Sequence, residues 1–345
     1  MHFSEEFGNT YQQIEKDGFS IDEKIENLLS SDSKSSVAKS TGLATILLSD
    51  AFLRLKPDVV LLLGDRFETH AAATTAMLMN IPIAHIHGGE VTEGAVDEQI
   101  RHSITKMSYL HFVSNCEYRN RIIQMGESPD MVFTTGAPGI DNIVNMSLLS
   151  KNDLEKELDW KITEPTALFT YHSETLSMAG VRDKILKILK VIRNLDINVL
   201  FTYANSDEGG RIINSEIEKF ASSDRDNDLV VKSLGQLKYL SAMKHLDFVI
   251  GNTSSGIIEA ASFHKPVVNI GSRQLGRLQS GNVIDSPIEK LEESIFQARS
   301  EKFIHYCRDV SNIYGKGKSA KQIVAQLETQ SLSCKKIFQN IEFRE

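Results

Sequence analysis

A chain of 345 residues exceeds the roughly 250 to 300 over which one hydrophobic core keeps growing, so two domains are expected. Apolar residues at 41% and charged residues at 24% are ordinary for a soluble globular protein, and no stretch reaches the roughly 18 uncharged apolar residues of a membrane helix. A formal charge of -8 without a long Lys/Arg block excludes a general nucleic-acid binder, because such binding rests on neutralising phosphates, but leaves room for a local basic pocket around one small anion.

From about residue 37, helix-like segments alternate with short apolar runs. These are Asp58 to Leu63, Ile81 to Ile86, Leu110 to Val113, Met131 to Thr134, Ala167 to Tyr171, Val199 to Tyr203, Leu229 to Val231, Phe248 to Ile250 and Val267 to Ile270. They are continuous rather than alternating, as parallel strands covered on both faces are, and the pattern predicts an α/β, doubly wound architecture. Between the fourth and fifth runs, "NDLEKELDWKITEP" carries no apolar run. The boundary is placed there, giving an N-terminal domain over 1–155, a C-terminal domain over 156–327 and a tail over 328–345. The N-terminus lacks a basic-then-apolar signal pattern, and Cys116, Cys307 and Cys334 have no metal-ligand spacing, so a reducing, cytoplasmic setting is expected.

Ligands of open α/β sheets bind outside the carboxyl ends of the strands, and an interdomain cleft gathers those ends. Polar residues follow nearly every run. Gly64-Asp65-Arg66 follows the first, with Glu68 and His70 beyond, and His87-Gly88-Gly89-Glu90 follows the second, with Asp97, Glu98 and Arg101 beyond. His172-Ser173-Glu174-Thr175, Asn205-Ser206-Asp207 and Ser272-Arg273 to Arg277 end later runs. In "VIGNTSSGIIEA" a strand stopping at Ile250 and a helix starting near Ser254 aim unpaired N–H groups at whatever lies above, which fits an anion. A plain Ser N-cap fits equally. Arg273 and Arg277 favour phosphate, because a guanidinium fork matches its oxygens. Glu259 could accept from sugar hydroxyls. In the first half Asp65, Glu90, Asp97, Glu98, His85 and His87 converge, and clustered carboxylates raise one another's pKa, which suits an acid and base pair. His85 and His87 share a strand face at i and i+2, but no third ligand follows at a metal spacing, so no metal is expected. His172 fits an acid, a phosphate donor or a hydrogen-bonded strand-end histidine.

These residues resemble the UDP-N-acetylglucosamine 2-epimerases, in particular the hydrolysing branch that makes free N-acetylmannosamine or a related 2-acetamido sugar for sialic-acid-like nonulosonate synthesis. The resemblance runs from Met1 to about Leu327 and rests on "GDRFE", "HIHGGE", "DEQIRHSITK", "NSDEG", "GNTSSGIIE" and "GSRQLGR". It implies two Rossmann-like domains of GT-B type, the nucleotide held mainly by the C-terminal one, and catalysis in the cleft. It makes Asp65 and Asp97 acid/base residues, and Arg66, His172, Asn205, Ser254, Ser255, Glu259 and Arg273 contacts to UDP, with Glu259 on the ribose and the serines on phosphate. His172 is also a catalytic residue in the family, and Arg101 is expected to orient Asp97. Many relatives carry Glu at the position of His87, which leaves its role open between His87 and Glu90. Relatives also begin with a strand and loop preceding the position of Met1, so an N-terminally short domain with an exposed strand edge is expected.

The implied reaction is elimination of UDP to a 2-acetamidoglucal followed by hydration, needing no cofactor and no metal. A UDP-sugar is the expected partner, without nucleic acid or membrane, in a homodimer or homotetramer. The alternatives are a hydrolysing epimerase of nucleotide-linked 2,4-diacetamido-2,4,6-trideoxyhexoses, suggested by "VTEGAVDEQIRH", a non-hydrolysing epimerase, a GT-B glycosyltransferase and an inactive UDP-sugar-binding fragment.

Overall fold

The computed structural model describes residues 2–3, 8–29, 31, 33–93, 95–174, 180–205, 207–223 and 227–341; Thr175 and Ser206 lie outside them. Four strands, β1 (Val60–Leu63), β2 (Ile83–Ile86), β3 (Leu110–Val113) and β4 (Val132–Thr134), form one parallel sheet in sequence order. Six more form a second parallel sheet: β5 (Thr166–Thr170), β6 (Asn198–Thr202), β7 (Leu229–Val231), β8 (Phe248–Gly251), β9 (Val267–Ile270) and β10 (Val283–Ser286). Its order is β10-β9-β8-β5-β6-β7, so the winding reverses between β5 and β8. All nine expected runs are strands. The tenth, "VIDS", escaped the apolar pattern because it is an edge strand with only two apolar residues.

The central strands are buried along their length because helices cover both faces: β5 joins Ala167, Phe169, Phe201 and Ile250 in one core, and Leu168, Leu200 and Val249 in another on the opposite face. Strand β1 differs. As a sheet edge it alternates, leaving Leu61 47% and Leu63 58% exposed while Val60 and Leu62 are buried.

The C-terminal lobe begins earlier than expected and the end of the chain returns to the N-terminal lobe, which corrects the expected boundaries. Helix Lys151–Leu158 packs with the C-terminal lobe, where Leu154 is fully buried with Leu168, Leu200, Leu246 and Val249 and Leu158 packs against them. A cut at 155/156 would divide that helix. Its apolar face has no other core to enter, and the Leu149 N–H is already bound to Ser241 Oγ at 3.0 Å. Conversely, helix Ser319–Thr329 returns to the N-terminal lobe, where Ile323, Leu327 and Leu332 pack on Ala84, Ile86, Leu110 and Phe112. Asp141 fixes its start by accepting from the N–H groups of Ser319 (2.8 Å) and Ala320 (2.6 Å). The residues before and after 328 therefore share one packing unit, and it is the N-terminal one.

Because Ile323 is 3% exposed within that core, Ile323→Ala should cost about 2–5 kcal/mol of stability. Thermal denaturation should show a lowered midpoint.

Candidate functional site

Strand β8 ends at Gly251, whose φ of 139° carries the backbone past the Thr170 carbonyl, where a Cβ would come within 1.8 Å of the oxygen. The buried Asn252 then ties β8 to β5: its Oδ1 accepts from the His172 N–H (2.7 Å) and its Nδ2 donates to the His172 carbonyl (2.9 Å). These strands flank the winding reversal, the place where an α/β sheet opens a crevice. Thr253, rather than a serine, caps helix Ser254–Ile258, accepting from the Ser255 N–H. The Ser255 hydroxyl bonds Tyr239 and Thr253, whereas that of Ser254 has no partner among the described residues.

Beside this turn stands Arg273, with Nη1 donating to the Asn252 carbonyl at 3.3 Å and Nε buried without a partner. Its loop is anchored by Glu174, which accepts from the Ser272 N–H at 2.6 Å and pairs with Lys184 at 2.7 Å. The Nδ1 of His172 accepts from the Asn205 N–H at 3.1 Å, which puts the proton of the neutral ring on Nε2. Burial, and then the charge of Arg273, push the pKa of His172 down to about 3. Without a ligand it is thus a neutral N–H donor at neutral pH and not an imidazolium acid.

Across the gap, Arg101 organises the other lobe. Fully buried on helix Asp97–Met107, it donates Nε to Asp65 (3.0 Å), Nη1 to the Glu90 carbonyl (2.9 Å) and to Glu98 (3.0 Å), and Nη2 to Asp65 and to Thr92 Oγ1 (2.8 Å). Burial alone would raise the Asp65 pKa, but the guanidinium groups of Arg101 and Arg277 outweigh it and hold Asp65 below the usual carboxylate range. Asp97 is pushed the opposite way, by burial and by the negative charge of Asp65, against opposition from Arg273. Two carboxyls with pKa values driven apart are the condition for one to stay ionised while the other exchanges protons.

The lobes meet through polar pairs on either side of this gap. Arg66 Nη1 reaches Asp207 Oδ1 at 3.0 Å, and Arg277 Nη2 reaches Glu90 Oε2 at 3.1 Å with both side chains buried. Glu90 Oε1 also lies 2.6 Å from His87 Nδ1. Glu259 comes from the C-terminal side and touches the N-terminal lobe at Gly139, where a Cβ would stand 2.9 Å from its Oε1. Burial pushes its carboxyl up to about 7, partly offset by His87.

The gap thus brings together Asp65, Asp97, Arg66, His172, Asn205 and Arg273, with His87 and Glu259 facing each other near Gly139, while Ser254 and Ser255 open the helix that follows β8. Four expectations change. Arg101 grips Asp65 and not Asp97, because its side chain turns into the protein toward four accepting groups. Arg277 serves Glu90 and is not free for phosphate. Glu98 is spent on Arg101, His102 (2.9 Å) and the Thr92 N–H (2.6 Å). His85 turns into its own lobe toward the Gly64 carbonyl (2.9 Å) and Thr105, while His87 has left the strand at φ 68°, so the two share no face. Among the described residues no group of three or more His, Cys, Asp or Glu side chains is set to hold a metal. Asp207 and Tyr239 were not singled out; "NSDEG" contained the first, while nothing local marks the second.

The family model for UDP-N-acetylglucosamine 2-epimerase matches residues 1–328. The chain belongs to this family. It is 45% identical over 303 residues to a GDP/UDP-N,N'-diacetylbacillosamine 2-epimerase (hydrolyzing) of Campylobacter jejuni, covering 88% of this chain and 79% of that one. A UDP-N,N'-diacetylbacillosamine 2-epimerase (hydrolyzing) of Legionella pneumophila is 35% identical over 331 residues, covering 95% and 86%. Polysialic acid biosynthesis protein P7 of Escherichia coli is 37% identical over 321 residues, covering 92% and 81%. In fold, the epimerase matches the UDP-GlcNAc 2-epimerase of Neisseria meningitidis bound to UDP-GlcNAc with a TM-score of 0.79 at 20% identity, over 93% of this chain and 89% of that one. These neighbours identify the paired parallel sheets as the GT-B arrangement, and the matched relatives identify the hydrolysing branch. Among the described residues no helix is long and apolar enough to cross a membrane.

The raised Glu259 carboxyl has a consequence for stability. Between its ordinary 4.5 and about 7 the folded epimerase holds a proton that the unfolded chain has lost, so this contribution is largest below 4.5 and is lost as pH rises to about 7. Glu259→Gln should remove the loss. In urea titrations at about pH 5 and about pH 8, the variant should gain stability relative to wild type at the higher pH.

Proposed function

We propose that this hydrolysing UDP-sugar 2-epimerase acts on a nucleotide-linked 2,4-diacetamido-2,4,6-trideoxyhexose, releasing the nucleoside diphosphate and the free 2-epimeric sugar. The observation that carries the reading is a cavity of about 440 Å³ lined by Asp97 and Arg66, with an apolar stretch of Val37, Ala38, Phe67, Val96 and Ile100 and with Lys34, Thr41, His70, Asp207 and Glu208 elsewhere on its wall. A methyl group at C6 and the methyl end of a C4 acetamido group fit the apolar stretch of this wall, where the C6 hydroxyl of N-acetylglucosamine would meet carbon. The names of the Campylobacter and Legionella relatives support the same substrate. UDP-N-acetylglucosamine, the sugar expected first from the sequence, is the second reading, favoured by the likeness to polysialic acid biosynthesis protein P7.

In this reading the diphosphate lies over the turn after β8. Arg273, the Nε2–H of His172 and the hydroxyls of Ser254 and Ser255 meet the charge that grows on the departing group. Such preorganised donors are commonly the largest catalytic contribution. Arg66 and Asn205 line the same side, and the raised carboxyl of Glu259 accepts from the ribose. Asp97 takes the proton from C2 as the C1–O bond breaks, while Asp65, kept ionised by Arg101, holds the field that makes Asp97 a stronger base. Water then adds to C1 of the glycal and a proton returns to C2 from the other face.

The test is product analysis. Incubation with UDP-N-acetylglucosamine and with UDP- and GDP-linked diacetamido sugars should give faster nucleoside diphosphate release, with free sugar, from the diacetamido substrate. Preference for UDP-N-acetylglucosamine would select the second reading. Asp97→Asn should lower release by at least about a hundredfold with UDP affinity nearly unchanged. Arg273→Ala should weaken UDP binding by about ten- to a hundredfold, as loss of a charged hydrogen bond does.

A further inference from the structure

The wall of the sugar cavity carries a polar side chain that neither the fold nor the reaction has used. We infer that His70 reads the substituent at C4, its ring N–H donating to the carbonyl oxygen of the C4 acetamido group, and so selects the diacetamido sugar over its 4-hydroxy counterpart. This rests on the substrate reading above.

The cavity opens among the first turns of three helices, Lys34–Leu55, Phe67–Leu78 and Asp97–Met107. The second of them turns small residues into the lobe: Ala71, Ala73 and Ala76 are fully buried, and the last two pack with Phe52 of the first helix. His70 lies at i+4 from Arg66 and i+3 from Phe67, and all three side chains line the cavity. Its backbone N–H closes the first turn on the Arg66 carbonyl at 2.9 Å. On the third helix Asp97 and Ile100 stand in the same relation, i and i+3, and line the cavity too. A helical turn advances about 5.4 Å, the order of the span from C2 of a pyranose to the carbonyl oxygen of an acetamido group on C4. With C2 at Asp97, a C4 substituent thus reaches the part of the wall one turn on, where Ile100, Phe67 and His70 stand.

The other polar groups of this wall are committed or exposed. Asp207 binds Arg66 at 3.0 Å and Asn205 at 2.7 Å, and the Thr41 hydroxyl donates to the Val37 carbonyl at 2.9 Å. Arg66 is engaged by Glu68 as well as by Asp207. The Lys34 side chain is 75% exposed and 3.9 Å from Glu208, and a stem so free loses rotamer entropy in any ordered contact. His70 is half-buried, and its ring nitrogens have no partner among the described residues. Burial pushes its pKa below the ordinary 6.5, so near neutral pH the ring is uncharged, with one N–H donor and one accepting nitrogen. An uncharged donor suits an amide oxygen, whereas a diphosphate is better met by the charged fork of Arg273.

The two sugars differ in what they bring to that point. An acetamido group carries its oxygen two bonds beyond the ring-bound nitrogen, out to His70, and sets its methyl on the apolar stretch alongside. A hydroxyl ends at the sugar ring and leaves the His70 N–H to water. Because His70 is half-buried, water can replace the lost partner. The selection is therefore that of one neutral hydrogen bond, about tenfold, and not the larger penalty of an enclosed unpaired group.

The test compares two substrates that differ only at C4: 2,4-diacetamido-2,4,6-trideoxyglucose and 2-acetamido-2,6-dideoxyglucose, both UDP-linked and, in parallel, both GDP-linked. The readout is kcat/KM for release of nucleoside diphosphate with free sugar. Wild type should favour the first sugar. His70→Phe, which keeps a ring without an N–H, should lower kcat/KM for the first by about tenfold and leave the second unchanged. His70→Gln, which restores a donor, should recover most of the preference. UDP affinity and the thermal midpoint should stay at wild-type values in both variants. A preference that survives in His70→Phe, or an equal fall on both sugars, would overturn the role of His70 and leave the substrate reading in place. A wild type that prefers the 4-hydroxy sugar or UDP-N-acetylglucosamine would instead overturn the substrate reading itself.

Discussion

The fork of Arg101 is the contact on which the N-terminal half of the site depends. Five donors on one rigid plane draw together the loop after β1, the loop after β2 and the first turn of helix Asp97–Met107. No other side chain has this reach with this geometry, and burial of a charge that cannot be shed obliges the protein to supply acceptors on every side. Asp65 and Glu98 answer with charge, Glu90 with its carbonyl. Burial first, and then the charge of the Asp65 that this fork orders, drive Asp97 the other way, so a structural arginine contributes to the chemical difference between two carboxylates.

The C-terminal half relies on a different device, a reversal of winding. Because β5 and β8 are neighbours although distant in sequence, His172 and Asn252 emerge side by side and lock through two hydrogen bonds. The backbone of the crevice is satisfied by itself, which leaves Arg273 Nε and the Ser254 hydroxyl for a ligand. Self-sufficiency of the frame is what allows unsatisfied groups at its mouth.

Much of this was legible in the sequence, and the failures share a cause. Continuous apolar runs announced buried parallel strands, since a strand covered on both faces has no polar alternation to show. The edge strand β10 broke that rule and was missed. Residue types at strand ends pointed to the gap because turns of this topology all open on one side, yet their partners were not readable. Arg101 and Asp97 sit at i and i+4, which suggests a pair on one helix face, but Asp65 from another strand offered a better fit to the guanidinium. Arg277 and Arg273 looked alike in "GSRQLGR" and serve opposite lobes, because one points into a buried acid and the other along the crevice. The domain boundaries failed for a similar reason: helix Lys151–Leu158 already belongs with β5 in the C-terminal lobe, and helix Ser319–Thr329 returns to the N-terminal lobe, neither of which the apolar pattern of a single helix reports.

The return of the last helix to the N-terminal lobe has a mechanical consequence. The chain passes between the lobes twice, after helix Pro138–Asn145 and again between helices Glu301–Arg308 and Ser319–Thr329. A body strapped at two places to another can swing about the line through both straps but cannot twist freely around either. Gly136 and Gly315, packed against each other near the second strap, bring two backbones as close there as a pivot pin to its sleeve. Gaping of the crevice is thereby reduced to one angular coordinate, and substrate entry becomes a door rather than a ball joint.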